Sequence, residues 1–492
     1  MWFLAGALLC ANTAHADERP IVVGSKQFTE SVILGELAVQ KAQLAGVHAE
    51  HRRALGGTRI LWEALVRGDI DAYPEYTGTI LQELLPGTPP GSLETALAKN
   101  GVAVTPPLGF NNTYAIGMMP EVADRLGIRT ISDLRRHPEL TFGFANEFLD
   151  RADGWRSLKA RYRLPQTNVR GLDHDLAYRA LASGQIAATD LYSTDAEIRA
   201  HGLKVLEDDL HHFPRYDAVL VYRAVLKERA PEAVAAWNQL AGRIDEGAMI
   251  AMNAKAKLDH VPEGRVASEF IANTFGEKTG FVATSRAHRL WMRAKEHLAL
   301  VAISLGAAIL IGIPLGLWAA KRRQAGRVIL AAVGVIQTVP SLALLVFMIP
   351  LLGIGTWPAI AALFLYSLLP IVRNTQQGIT GIAGELRDSA RALGLPAWTT
   401  LGRIELPLAS PAILAGIKTS AVINVGTATL GALIGAGGFG QPILTGIRLA
   451  DVGLILEGAV PAAVLALIVQ ALFDLLERIV VPRGLRLDRG RA

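Results

Sequence analysis

Cysteine is almost absent: Cys10 is the only one in 492 residues. Beyond it the chain carries no disulfide, no thiol nucleophile and no thiolate metal ligand. Signatures of catalysis are missing as well. There is no Gly-x-Ser-x-Gly and no His-Glu-x-x-His, which leaves no pattern for an exported hydrolase. A phosphate-binding Gly-x-x-x-x-Gly-Lys-[Ser/Thr] is also lacking, because Gly416-Ile417-Lys418-Thr419 has no Gly-Lys pair and sits in an apolar stretch. The adjacent His211-His212 point in different directions with no third ligand spaced to help, so they read as exposed loop and no metal site is expected. Charge is missing from long runs: Leu298 to Ala320 and Val328 to Val372 contain no charged side chain.

Those runs set the architecture. Hydrophobic residues make up 51% of the chain, but they are unevenly spread, with charges every few residues up to about Arg293. A helix needs roughly 20 apolar residues to cross a ~30 Å hydrocarbon core, so a soluble half precedes a membrane half. About five spans are expected, at roughly 298–320, 328–350, 356–372, 411–435 and 452–480. Phe3 to Cys10 followed by Ala14-His15-Ala16 reads as a secretory signal peptide over 1–16, although without a basic n-region. Residues 17–285 then form the soluble domain, 286–297 a linker, 298–482 the membrane domain and 483–492 a basic tail. Lys321, Arg322, Arg323 and Arg327 after the first span, and Arg478, Arg483, Arg486, Arg489 and Arg491 after the last, mark the cytoplasmic side of an inner membrane. Arg286, Arg289, Arg293 and Lys295 fall on the outer side, where a large translocated domain overrides such charges. The glycines from Gly426 to Gly431 read as close helix packing, and Gly435 to Gly440 as a re-entrant or loop segment.

This topology puts the loop from Arg373 to Pro407 inside. Within it lie Asp388-Ser389-Ala390, then Gly394, then Ile404-Glu405-Leu406-Pro407. The spacing resembles the cytoplasmic "EAA" loop of ABC-importer permeases, with Asp and Ser replacing the usual Glu and first Ala. In that family the loop is a helix, turn and helix that docks on a separate ATPase. The resemblance therefore implies an external ATPase contacting Asp388, Ser389, Ala390, Gly394, Ile404, Leu406 and Pro407.

The soluble half repeats itself. Ala64-Leu65-x-x-Gly68-x-Ile70-x-Ala72-x-x-x-Tyr76-Thr77 aligns without a gap on Ala180-Leu181-x-x-Gly184-x-Ile186-x-Ala188-x-x-x-Tyr192-Ser193. Each copy reads as a helix end, a glycine cap and a strand delivering a tyrosine to a loop. Two lobes facing one cleft follow, the second over about 108–212. Ile21-Val22-Val23 is the first strand, and Gly24-Ser25-Lys26-Gln27-Phe28-Thr29-Glu30 leads into a helix through about Leu44. Backbone N–H groups and Lys26 at that helix start suit a carboxylate.

The segments Gly24–Glu30, Tyr73–Thr79, Phe110–Tyr114, Phe148–Gly154, Asp190–Tyr192 and Pro214–Tyr216 resemble receptors for glycine betaine, choline and carnitine in osmoprotectant ABC importers. The resemblance covers roughly 20–280. It implies that Tyr76, Tyr114, Tyr192 and Tyr216 box a quaternary ammonium, that the loop at Asn112 adds a backbone carbonyl, and that Lys26, Thr79 and Arg151 hold a substrate carboxylate. Tyrosines suit the task because a trimethylammonium has no hydrogen to donate, whereas each aromatic face attracts it by roughly 0.5–2 kcal/mol. Gln27, Asp175 and Trp155 are further candidates for the cleft, although Asp175 fits better as the opener of a helix and Trp155 as packing between lobes.

The combined expectation is a two-lobe α/β domain of the periplasmic-binding-protein type followed by an all-α polytopic permease of the ABC-importer fold. Its expected partners are a separate ATPase, a second permease copy, a small quaternary amine and the lipid bilayer; no cofactor and no nucleic acid are expected. Ergothioneine is the alternative ligand within the same class. A membrane-anchored amine sensor is the alternative of another class.

Overall fold

In the computed structural model, which describes residues 19–282, 285–449 and 451–481, the first half folds as two lobes. The expected signal peptide with Cys10 and the basic tail at 483–492 lie outside the described residues. Lobe 1 is built on β1 (Ile21–Gly24), β2 (Ala49–Arg52), β3 (Ala72–Tyr76), β4 (Val102–Val104) and β10 (Ala218–Arg223), in the order β2-β1-β3-β10-β4. β1 runs parallel to β2 and β3, while β10 is antiparallel to β3 and β4. Lobe 2 takes β5 (Tyr114–Met118), β6 (Phe142–Ala145), β7 (Val169–Leu172), β8 (Thr189–Tyr192) and β9 (Lys204–Leu206). Its sheets β8-β5-β9 and β6-β7 are joined by a bridge between Phe142 and Ala188. The chain leaves lobe 1 after β4 and returns at β10, and a bridge between Asn111 and Asp217 ties the two crossings together.

Helix α1 (Thr29–Leu44) is buried along nearly all of its length, which explains its lack of an amphipathic stripe. Its polar residues are paired, as burial requires: Gln40 Nε2 donates to Gly264 O at 2.8 Å and Lys41 Nζ meets Glu277 at 2.7 Å. The repeat appears in space as two equivalent turns. Helix α2 (Thr58–Arg67) ends at Gly68 with φ 84°, and α3 (His174–Ala182) is followed by Gly184 with φ 73°. Each turn feeds a strand whose last residue is a tyrosine, Tyr76 of β3 and Tyr192 of β8. Helices α4 (Glu246–Lys257) and α5 (Glu263–Phe275) return to lobe 1 and pack on α1.

Two expectations in the membrane half are corrected. Residues 286–297, expected as a linker, are the first turns of α6 (Arg286–Lys321), which continues unbroken into the first span. Ser285 caps that helix by accepting from His288 N, so helix formation starts three turns earlier than the apolar run. The second expected span, 328–350, is two helices, α7 (Arg323–Thr338) and α8 (Ser341–Leu352), bent by 101°. Pro340 causes the break, since it has no N–H and drives Val339 into the extended region. Helix α9 (Thr356–Thr380) is followed by α10 (Gly384–Ala392), α11 (Leu406–Thr427), α12 (Gly440–Arg448) and α13 (Val452–Val480). Among the described residues, four helices are long and apolar enough to cross a membrane, or five spans if the bent pair is one. Lobe 1 rests on this half through one continuous apolar cluster that joins Leu55, Leu61, Leu65 and Ile70 to Leu300, Leu344, Ile349 and Ile434.

Candidate ligand-binding cleft

The tyrosines converge because the two lobes and the crossing each deliver at least one. Tyr76 ends β3, Tyr192 ends β8, Tyr114 opens β5 and Tyr216 lies in the return crossing. All four line one cavity of about 50 Å³, together with Lys26, Glu30, Thr79, Asn112 and Arg151. Tyr114 is central: its ring centroid is 5.1 Å from Tyr192 and 5.7 Å, nearly perpendicular, from Tyr216. Tyr216 reaches this position only because residue 78 is glycine, where a Cβ would stand 2.5 Å from the ring.

Beneath the rings lies Glu30, which ends the Gly24–Glu30 segment and is not among the expected ligand-binding residues. It is buried and accepts from four side chains. Tyr76 Oη is at 2.5 Å, Asn112 Nδ2 at 2.8 Å and Asn253 Nδ2 at 2.9 Å, with the hydroxyl of Thr194 as the fourth. Thr194 belongs to lobe 2, Asn112 to the crossing and the others to lobe 1, so this carboxylate ties the lobes together. Burial raises its pKa above the ordinary carboxylate value despite the bonds from Thr194, Tyr76, Asn253 and Asn112.

The cations are already partnered. Lys26 Nζ lies 2.6 Å from Glu75 Oε1, with both residues buried, and Lys26 N–H is spent on Ser31 Oγ. Arg151 clasps Asp153 through Nε at 2.7 Å and Nη2 at 2.6 Å, and that Nη2 also lies 3.5 Å from Thr79 Oγ1. Burial would raise the Asp153 carboxyl, but Arg151 outweighs it and holds it below the ordinary range. The Arg151 guanidinium carbon is 5.3 Å from the Tyr114 ring centre.

Other placements differ from expectation. Asp173, not Asp175, caps α3 by accepting from Asp175 N at 3.1 Å. Asp175 instead meets Lys257 Nζ of α4 at 2.6 Å, and Glu197 meets the same ammonium at 2.7 Å, which forms a second tie between lobes. Trp155 packs inside lobe 2, 5.0 Å from the Phe144 ring, rather than between lobes. His211 is exposed, whereas His212 is half-buried with Nε2 3.3 Å from Asp153 O. Among the described residues no group of His, Cys, Asp and Glu is arranged to hold a metal. Gln27 does not line the tyrosine cavity but a neighbouring one. Phe28, His174 and Asn253 line the cleft and had no recognised signal. Asn253 is 223 residues from Glu30 in the chain, a separation at which no local pattern connects the two.

At the other end of the membrane half, α10, a turn at Gly394 and further short helices span the residues expected as the docking loop. Gly394 has φ 70° just beyond the end of α10, a conformation natural to glycine at this position. Ala390 is buried while Asp388 and Ser389 are exposed, with Arg391 3.1 Å from Asp388. Ile404, Leu406 and Pro407 are half-buried at the return into α11. Glu405 anchors the loop through Arg387 at 3.1 Å and Lys321 at 4.0 Å. Leu386, Leu393 and Trp398 stand exposed around the turn.

A two-lobed domain closed over an aromatic cavity and carried on a bundle of membrane-length helices defines a binding receptor fused to a permease. By residues 19–273, more than half its length, the chain belongs to the family described as the substrate binding domain of ABC-type glycine betaine transport systems, and residues 312–485 match the binding-protein-dependent transport system inner membrane component. Among relatives, the glycine betaine/carnitine/choline transport system permease protein OpuCB of Bacillus subtilis (strain 168) is 41% identical over 206 residues, covering 42% of this chain and 94% of that one. The ergothioneine transport permease/ergothioneine binding protein EgtU of Helicobacter pylori (strain G27) is 34% identical over 278 residues, covering 54% of this chain and 50% of that one. A solved structure of a glycine betaine/carnitine/choline ABC transporter is 28% identical, with a TM-score of 0.44, and covers 51% of this chain and 98% of that one. The protein is thus the binding and membrane component of an ABC importer, a multi-pass protein of the inner membrane.

Proposed function

We propose that the cleft takes a small quaternary ammonium compound, such as glycine betaine, choline or carnitine, and delivers it to the membrane half for ATP-driven uptake. The observation that carries this reading is the convergence of Tyr76, Tyr114, Tyr192 and Tyr216 around the buried Glu30 carboxylate. The rings supply cation–π attraction, and the carboxylate behind Tyr76 makes its ring more electron-rich. A ligand carboxylate would meet Thr79 and the Arg151 Nη1 left outside the Asp153 clasp. Lys26, already paired with Glu75, contributes less, and Asn112 acts through Glu30 as well as through its backbone. Ergothioneine is the second reading, favoured by the relative named for it. Calorimetric titration of the full chain with glycine betaine, choline, carnitine and ergothioneine tests both, and absence of binding to all four would overturn them.

Glu30 makes the binding pH-dependent. A cation binds best to the charged carboxylate, whose pKa is raised in the empty cleft, so choline affinity falls as pH drops through that raised value. Besides the tyrosines, the other titratable groups lining the cleft are Lys26, Glu147, Arg151, His174, Asp175, Asp195 and Lys257. Glu30→Gln is expected to weaken choline binding and to flatten this part of the profile; an unaltered profile measured by calorimetry would remove Glu30 from the role.

The membrane half is oriented with the receptor outside and the docking loop in the cytoplasm. The 36 residues of α6, about 54 Å of helix, separate the end beside lobe 1 from Lys321, which faces Glu405 of the loop. Leu386, Leu393 and Trp398 form the apolar part of the surface that a separate ATPase covers, and two copies of the chain present two such loops to two ATPase subunits.

A further inference from the structure

We propose that the space between the cleft and the membrane half is a transfer chamber for the organic cation, with Arg448 as the positioning residue that keeps it in register with the cleft. The inference rests on the ligand reading above. A cavity of about 280 Å³ lies beside the tyrosine cleft. Phe28, Glu147, His174 and Asp175 line both spaces, so these four side chains form the partition. Across the chamber stand Leu444, Ile447 and Arg448, all from α12 of the membrane half. Apolar walls beside the carboxylates Glu147 and Asp173 suit a large, weakly hydrated monovalent cation, whereas Asp175 is neutralised by Lys257.

Arg448 is only 8% exposed and bonds to two places in lobe 1. Its Nη2 lies 2.6 Å from Glu263 Oε1 on α5, and its Nη1 is 3.2 Å from Thr29 Oγ1 on α1. Thr29 immediately precedes Glu30. The guanidinium charge is balanced by Glu263, and the Arg53 that faces Glu263 at 4.0 Å is itself paired with Glu36, so Arg448 does not repel a cation in the chamber. Because α12 carries both the chamber wall and this clasp, a tilt of α12 reshapes the chamber and moves the first turn of α1 together. The membrane half thereby acts on the cleft without touching the tyrosines.

The test uses the full chain with its ATPase in proteoliposomes, measuring choline and glycine betaine binding and ATP-driven uptake. Removing one partner of a buried ion pair is severe, so Arg448→Gln is expected to lower the maximal uptake rate about ten-fold or more, leaving KM and the choline Kd within about three-fold. The reciprocal pair Arg448→Glu with Glu263→Arg should recover most of the uptake, since the Thr29 hydroxyl serves either charge. Leu444→Trp, which fills the chamber, should lower uptake with binding retained. Uptake at the wild-type level in Arg448→Gln or Leu444→Trp would overturn the proposal, as would a reciprocal pair that binds but stays inactive. If the wild-type chain binds neither compound, the ligand reading itself fails, and the chamber with it.

Discussion

Replacing Tyr76 and Tyr192 together by alanine is expected to raise the Kd for a quaternary ammonium ligand by about 30-fold or more. Two aromatic faces at roughly 0.5–2 kcal/mol each account for about 1–4 kcal/mol. The change also strips Glu30 of its donor at 2.5 Å, which leaves Oε1 with Asn112 alone and weakens the closed state further. The loss is distributed between lobes, because Tyr76 belongs to lobe 1 and Tyr192 to lobe 2, so the double variant weakens closure as well as the cage. Tyr76→Phe separates the two effects: it keeps the ring and removes the hydroxyl that reaches Glu30. Calorimetry on the three proteins checks this. A double variant within a few-fold of wild type would sink the tyrosine cage.

Replacing Gly394 by valine is expected to abolish uptake while leaving ligand binding intact. Its φ of 70° costs a residue with a Cβ about 1–2 kcal/mol, and more for a β-branched one. No heavy atom lies within 4 Å of where that Cβ would stand, so the damage is to the turn and the face it presents, not to packing inside the chain. Exposed Leu393 and Trp398 flank the turn and would be misdirected. Gly394→Asn, which tolerates the left-handed region, should retain much of the activity. Uptake by the full chain with its ATPase, beside ligand binding, measures both variants; normal uptake in Gly394→Val would count against a docking role for the loop.

Much of the cleft was legible because its tyrosines lie on local signals. A helix end, a glycine with positive φ and a short strand recur at Gly68 and Gly184, and each pattern places one tyrosine at a strand end without reference to the rest of the chain. The uncharged runs marked the membrane half for the same reason, since length and apolarity are local properties. Where expectation departed from the structure, the deciding partner was distant or the local rule had a competitor. Asp175 was read as a cap, yet Asp173 caps α3, which frees Asp175 to reach Lys257. The linker at 286–297 became helix because Ser285 nucleates it before the apolar run begins. The run 328–350 reads as one span by apolarity, but Pro340 breaks it into two helices bent by 101°.

The sequence by itself determined the soluble and membrane halves, the tyrosine-bearing turns and the loop around Gly394, since each depends on composition or spacing within a short stretch. Only the tertiary structure decided that Glu30 gathers donors from both lobes and the crossing, that Lys26 and Arg151 are neutralised by Glu75 and Asp153, and that Arg448 reaches Thr29 across 419 positions. Such pairings follow from how the lobes close on each other and sit on the membrane helices. A buried charge takes whichever partner the fold brings within hydrogen-bonding distance, and separation along the chain does not reveal which one that is.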